Sequence, residues 1–306
     1  MPQVIVASPS ESRLVRAGQS GGRIARVGPW ELLRLVGGGS LSQVYQASPA
    51  GTPPERPAAY ALKMPGPARQ DDAAAVALLR QEAAAGRAVN HPHVVAILSA
   101  SLGQPPYYLV MPWLEGATLQ QRLDQDRPLD IRTALWIARQ VASALDALAR
   151  ALWIHGDVKP SNVFLSPDGH ATLLDLGFAR PIGAAHCLAD RCVLGTPSYM
   201  APELLTSAST ADIRSDVYSL GVVLYEMLAG RLPFDAADLG ALVSQHRQGS
   251  LPRLEKLAPW LPADVVRLVS RMLAKDLLRR PSPAELLRQL TAMEIAALAE
   301  AVDGGK

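Results

Sequence analysis

One block of polar residues narrows what this chain can fold into more than any other feature. His155-Gly156-Asp157-Val158-Lys159-Pro160-Ser161-Asn162 is followed by Val163-Phe164-Leu165 and then by Asp175-Leu176-Gly177, so that three acid or amide groups converge on one region. Asp157 is suited to orient an attacking hydroxyl and accept its proton, while Asn162 and Asp175 offer the hard oxygen ligands that magnesium on a nucleotide requires. Lys159 would then stabilise charge on a transferring phosphoryl group.

Upstream sequence supplies matching parts. Residues 37–44, Gly-Gly-Gly-Ser-Leu-Ser-Gln-Val, suit a turn between two strands in which missing β-carbons let backbone N–H groups approach phosphate oxygens. Taken alone, the same run fits a flexible hairpin equally well. Ala61-Leu62-Lys63 ends an apolar run and presents an ammonium to phosphate charge; Glu82 can act as its counter-ion, although an isolated pair of this kind is more often a solvated surface contact.

Residues 30–62 carry short apolar runs broken by Gly, Pro and Ser, the pattern of antiparallel strands, with a proline- and glycine-rich loop at 51–57. An acidic start at Asp71 and Asp72 opens a helix expected to run through Val89. Residues 107–111 read as another strand, and a lobe boundary is expected near 111–116, where Gly116 suits a connector. Helical periodicity follows over 131–152, 215–228, 237–248, 263–273 and from Pro283 onward, where Ser282-Pro283-Ala284-Glu285 has the form of a capping box. No internal repeat is visible.

The 306 residues are 49% hydrophobic, enough for two packed lobes, and a net charge of +2 argues against nucleic acid as a partner. Two cysteines, Cys187 and Cys192, are too few for a disulfide framework and suit a reducing compartment, so the cytoplasm is expected. No apolar run approaches the roughly 18–20 residues needed to span a bilayer. Residues 1–28 hold Arg13, Arg16, Arg23 and Arg26 against the single acid Glu11, and are expected to form a disordered basic tail.

The order and spacing of these blocks resemble those of the eukaryotic-like Ser/Thr protein kinases over residues 30–290. As they stand here the blocks are VGGGSLSQVY, YALK, RQEAAAGRAVNHPHVV, LVMPWLEG, IHGDVKPSNVFL, LLDLG, LGTPSYMAPELL and SDVYSLGVVLYEMLAGRLPF. The resemblance implies an α+β, bilobal protein kinase-like fold. A small antiparallel β-sheet N-lobe with one main helix (29–111) is joined by a hinge (112–116) to a larger, mainly α-helical C-lobe (117–292), with residues 293–306 as a helical extension. It implies ATP with Mg2+, or Mn2+, and protein substrates; oligomeric state is not readable.

Carried over by position, Val36, Gly37, Gly39 and Val44 would cover ATP, and Lys63 would contact its α and β phosphates while paired with Glu82. Met111 would guard the back of the adenine pocket, and Pro112 follows where only a backbone carbonyl is required. Leu114 would give its backbone N–H to adenine, Ala61 and Phe164 would sandwich the ring, and Thr118 would lie near the ribose. Asn162 and Asp175 would bind the metal, and Thr196 would hydrogen-bond near Asp157 and Lys159. Asp216 would hold the catalytic loop, and Arg280 would pair with Glu203 to brace the substrate platform.

Departures from the family pattern are informative. Gly156 stands where an arginine usually receives an activating phosphate, and residues 178–195 contain no Ser, Thr or Tyr, so activation by phosphorylation in that stretch is not expected. Cys187 and Cys192 fall in the same stretch beside His186. They read as ordinary apolar residues, with a disulfide latch as the sharper alternative. Ser42 replaces a glycine of the phosphate loop, and Leu176 replaces the usual Phe. Two other functions stay open: a small-molecule phosphotransferase resembling the aminoglycoside phosphotransferases through His-Gly-Asp, and a pseudokinase scaffold.

Overall fold

The structure, a computed structural model, describes residues 25–39, 41–53, 55–70, 72–184, 197–205 and 212–303. The chain begins with β1 (Ala25–Val27), β2 (Trp30–Gly38), β3 (Ser42–Pro49) and β4 (Tyr60–Pro65), followed by α1 (Ala73–Ala88), β5 (Ser99–Ser101) and β6 (Tyr108–Pro112). These six strands form one antiparallel sheet in the order β1-β2-β3-β4-β6-β5. Along β2 and β3, Leu32 and Ala47 are buried with Leu62 and Val110, whereas Val36 and Val44 belong to a separate cluster, Val44 and Ala47 standing on opposite faces of β3. The proline- and glycine-rich stretch at 51–57 lies in the β3–β4 connection, where no ladder donor is needed.

The helix expected after Asp71 and Asp72 starts at Ala73 because the Asp72 carboxylate caps it, accepting N–H bonds from Ala74 at 2.8 Å and Ala75 at 3.4 Å. Its buried face includes Leu79, Glu82 and Ala83.

Beyond the sheet the chain passes through Gly116, whose φ of +138° is closed to other residues; a Cβ there would sit 2.0 Å from the Leu165 carbonyl oxygen. The second lobe contains β7 (Ala117–Thr118), α2 (Leu119–Gln125), α3 (Ile131–Arg150), β8 (Trp153–Ile154), β9 (Val163–Leu165), β10 (Ala171–Leu173) and β11 (Arg180–Pro181). After these come α4 (Ile213–Ala229), α5 (Leu239–Gln248), α6 (Leu254–Leu257), α7 (Ala263–Met272) and α8 (Pro283–Asp303). Every residue of α4 from Ser215 to Leu228 is buried. A helix covered on all sides is the core of its lobe, and α3, α7 and α8 pack around it.

Several boundaries differ from expectation for identifiable reasons. Residues 25–27 fall in the stretch expected to be a disordered tail, yet they form β1 by pairing with Trp30–Leu32. The helix expected to reach residue 152 ends at Arg150, because Leu152 turns the chain with φ +62°. α5 starts at Leu239, after the capping carboxylate of Asp238. The capping box at Ser282 is half formed: Ser282 Oγ accepts the Glu285 N–H at 3.2 Å, but the Glu285 carboxylate is taken by Arg271 and Gln289. Residues 293–303 continue α8 without a break.

Candidate active site

Three structural elements meet at Lys63. Strand β4, hydrogen-bonded between β3 and β6, holds it opposite Val44 and Leu109. Helix α1 delivers Glu82, whose Oε2 accepts from Lys63 Nζ at 2.7 Å, and the turn after β10 delivers Asp175, whose Oδ1 accepts at 2.8 Å. All three are buried. Asp175 adopts a left-handed conformation at φ +60°, and its Oδ1 also accepts the Gly177 N–H at 3.2 Å. Such strain in a non-glycine residue persists only where neighbours fix it.

The electrostatics follow from burial. Desolvation alone would push Lys63 down, but the charges of Asp175 and Glu82 and their hydrogen bonds outweigh it and hold the ammonium above its ordinary range. For Asp175 desolvation acts upward and Lys63 overcomes it, so the carboxyl titrates below the usual value. Glu82 goes the other way: desolvation, helped by the Asp175 charge, wins over Lys63 and raises it to about 6.

A second group lies on the loop between β8 and β9. Lys159 Nζ donates to Asp157 Oδ2 at 2.6 Å, and Asn162 Nδ2 donates to Asp157 Oδ2 and to its backbone carbonyl, both at 2.9 Å. The loop is held from below by Asp216 on α4, whose two oxygens accept the N–H groups of His155 at 2.6 Å and Gly156 at 2.7 Å. Gly156 takes φ +78°, which glycine adopts without strain. The two groups are tied together: the Leu174 N–H donates to the Asn162 carbonyl at 2.8 Å, and the Lys159 charge reaches Asp175.

Above the carboxylates is an apolar slot. Val36, Val44, Ala61, Met111 and Pro112 come from the sheet, Trp113 and Leu114 from the connector, and Val95, Phe164 and Leu174 complete the lining, with Lys63, Glu82 and Asp175 among the lining residues. Of the expected nucleotide residues, Gly37 is paired with Val44 and the Gly39 N–H closes the hairpin onto the Ser42 carbonyl at 2.8 Å; neither lines the slot.

Thr118 has a local structural use. It lies outside the slot, buried, and its hydroxyl caps α2 by accepting the Gln121 N–H while the Gln121 side chain accepts the Thr118 N–H. A capping box was the physical use for Thr at that position, and the Gln three residues on was the signal for it. Thr196, Cys187 and Cys192 lie outside the described residues. Val95, Trp113 and Leu174 are the slot residues that sequence reasoning missed, although each belongs to or adjoins a recognised block.

The platform below the cleft is also braced. Arg280 pairs with Glu203 through two parallel bonds of 2.7 and 2.8 Å and stacks on the Tyr218 ring at 4.8 Å. A further hydrogen-bonded chain runs from buried Tyr199, whose hydroxyl donates to Glu226 Oε2 at 2.6 Å, to Arg127 at the surface, which donates to Glu226 Oε1 at 3.2 Å.

Comparison with known proteins settles the family. A family model described as a protein kinase domain matches residues 30–290. The chain belongs to the protein kinase family. This kinase is 31% identical to the serine/threonine-protein kinase PrkC of Bacillus subtilis over 258 residues, which is 84% of the chain and 39% of PrkC. It is 35% identical to the serine/threonine-protein kinase pkn2 of Myxococcus xanthus over 285 residues, covering 90% of the chain and 34% of that relative. With PknL of Mycobacterium tuberculosis the identity is 31% over 267 residues, 87% of the chain and 64% of the relative. The kinase chain therefore spans less than two thirds of the length of each.

The protein kinase family uses ATP and a divalent cation as ligands. The residues fit those ligands. Asn162 Oδ1 is buried with no hydrogen-bond partner, the hard oxygen that a divalent cation takes up. The slot has apolar walls suited to a planar base and its one ammonium where phosphates would lie. Among the described residues no helix is long and apolar enough to cross a membrane.

Proposed function

We propose that this chain is an ATP-dependent protein kinase that phosphorylates Ser and Thr hydroxyls, uses Mg2+ with Mn2+ able to replace it, and works in the cytoplasm. The observation that carries the reading is the Asp157–Lys159–Asn162 cluster facing the Lys63–Glu82–Asp175 cluster through the Asn162–Leu174 bond.

Bound ATP and its cation supply the phosphoryl group and neutralise part of its charge. Asn162 and Asp175 would hold the cation, and Lys63, kept charged by its two carboxylates, would steady the α and β phosphates. Asp157 orients the substrate hydroxyl and takes its proton. Lys159, already bonded to Asp157 Oδ2, balances negative charge as it builds on the transferring group. The slot would hold the base and so fix the approach of the phosphates, which contributes as much as any single charge.

Gly156 has no side chain to receive a phosphate, and residues 178–195 offer no hydroxyl. The kinase is therefore active without phosphorylation in that stretch; an activating phosphate found there by mass spectrometry would overturn this part.

The test is incubation of the protein with labelled ATP, magnesium and a generic protein substrate, followed by phosphoamino-acid analysis. Label on Ser and Thr is expected from the wild type, with none from Asp157→Asn. Label on Tyr, transfer to an added aminoglycoside in place of protein, or no transfer at all would each contradict the reading.

A further inference from the structure

Three of the chain's six histidines form a row outside the nucleotide slot. His91 and His93 lie in the loop after α1, and His170 lies in the turn before β10. The His93 and His170 rings stack with centroids 4.6 Å apart, and His91 follows 5.5 Å from His93. Among the described residues no three His, Cys, Asp or Glu side chains are grouped to hold a metal ion.

The row ties the small lobe to β10, the strand that leads into Asp175. Val94 bridges Leu173 of β10 in parallel, the Leu173 N–H donates to the His93 carbonyl at 2.8 Å, and the Val95 N–H donates to the Leu173 carbonyl at 3.0 Å. The imidazoles add three side-chain contacts: His93 Nδ1 to the Ala171 carbonyl at 2.8 Å, His170 Nε2 to the Pro92 carbonyl at 3.0 Å, and His91 Nε2 to Ser143 Oγ at 3.3 Å. Two residues beyond Leu173 is Asp175, with Leu174 held by Asn162 and by His155 Nε2 at 3.0 Å.

The hydrogen bonds fix each ring's neutral tautomer. A carbonyl only accepts, so His93 carries its proton on Nδ1 and His170 on Nε2. His91 Nδ1 accepts the His93 N–H at 3.2 Å, which puts its proton on Nε2. An added proton on His91 must land on Nδ1 and break that bond. Added protons on His93 and His170 set two charges on stacked rings.

The surroundings give charge little shelter. Helix α3 presents Arg139, Asp146 and Arg150; Asp146 is bonded to Arg150 at 2.7 Å, and Arg139 is paired with Glu294 of α8. Asp168 lies beside His170 in the same turn. Burial, aided by the neighbouring imidazoles and Arg139, holds His93 below its ordinary 6.5, and burial does the same for His91 against the pull of Asp146.

We propose that His91, His93 and His170 are positioning residues for Asp175 that act only in their neutral form, so that acidification slackens β10 and lowers phosphoryl transfer. This rests on the reading of Asp175 as a cation ligand. The sign follows from the depressed titration of His91 and His93: both are neutral above pH 6.5, and their contribution is lost as pH falls below that value toward their folded-state titration points.

Two measurements test it on the full chain. In an NMR titration from pH 8 to 5, the His93 ring should titrate below 6.5, and the backbone amides of Leu174 and Asp175 should shift with it. Titration of His93 without any response at those amides would overturn the proposal, as would its titration at or above 6.5. In the second, kcat/KM is followed over the same range for wild type, His93→Phe and His170→Phe. Between pH 7.5 and 5.5 the wild type should fall more steeply than either variant. Superimposable acid limbs would refute it. Titration of Glu82 is common to all three proteins and cancels. The NMR arm needs no catalysis and no variant, so it decides the matter if the kinase reading fails or a variant does not fold.

Discussion

Replacing Glu82 with Gln should separate stability from chemistry at Lys63. Glu82 is 1% exposed, and its Oε2 lies 2.7 Å from an ammonium that also touches Asp175 at 2.8 Å. At an effective dielectric near 20, each contact represents roughly 6 kcal/mol of gross attraction. Burial opposes this and prevails at Glu82, whose carboxyl rises from 4.5 to about 6. A shift of that size corresponds to about 2 kcal/mol acting against folding at neutral pH. Because the folded-state value is raised, the penalty is complete above about pH 6 and disappears as pH falls toward 4.5.

Glu82→Gln keeps the shape and an acceptor for Lys63, and Asp175 still neutralises the ammonium, so no buried charge is orphaned. The expected Tm at pH 7.5 is unchanged or higher, at about 2–4 °C per kcal/mol for a chain of this class. Activity should move the other way: loss of the charge that aligns Lys63 removes on the order of 3 kcal/mol of transition-state stabilisation, about two decades in kcat/KM for ATP. Thermal unfolding and initial rates at varied ATP read both quantities. A Tm loss above about 8 °C, or full activity, would refute the assignment of Glu82 as an aligning group held at a cost to stability.

Thr118→Ala should lower stability by about 1 kcal/mol through the lost cap and leave the KM for ATP unchanged; a raised KM with intact stability would restore the ribose role. Gly116→Ala should strongly destabilise the chain or shift the connector, since its Cβ would meet the Leu165 carbonyl at 2.0 Å, and a wild-type melting curve would contradict this. Arg280→Lys loses the paired bonds to Glu203 and the stack on Tyr218, and should destabilise by roughly 3 kcal/mol in denaturant unfolding.

What the sequence made legible was what local chemistry dictates. Asp72 and Asp238 are capping residues in helices whose starts were predicted to within a few residues, and the Lys63–Glu82, Asp216–loop and Arg280–Glu203 contacts all form as the block order implied. What was not legible depends on tertiary pairing. Three residues ahead of Gly28 become a strand only because the Trp30–Leu32 edge is there to receive them. Leu152 ends α3 through a left-handed turn that no apolar periodicity marks. Thr118 was placed near the ribose by its position in a family pattern, and its capping of α2, which Gln121 signals, was not read. Trp113 and Leu174 line the slot because backbone geometry turns them there, a matter that motif spacing does not encode.

The account turns on residues distant in sequence closing around one nucleotide and its cation. The most direct measurement is a crystal structure of the protein with a non-hydrolysable ATP analogue and Mg2+. It should show the base between Ala61 and Phe164, Lys63 on the α and β phosphates, and the cation bound by Asn162 Oδ1 and Asp175. A nucleotide seated elsewhere, or a cation that leaves Asn162 Oδ1 without a ligand, would contradict it.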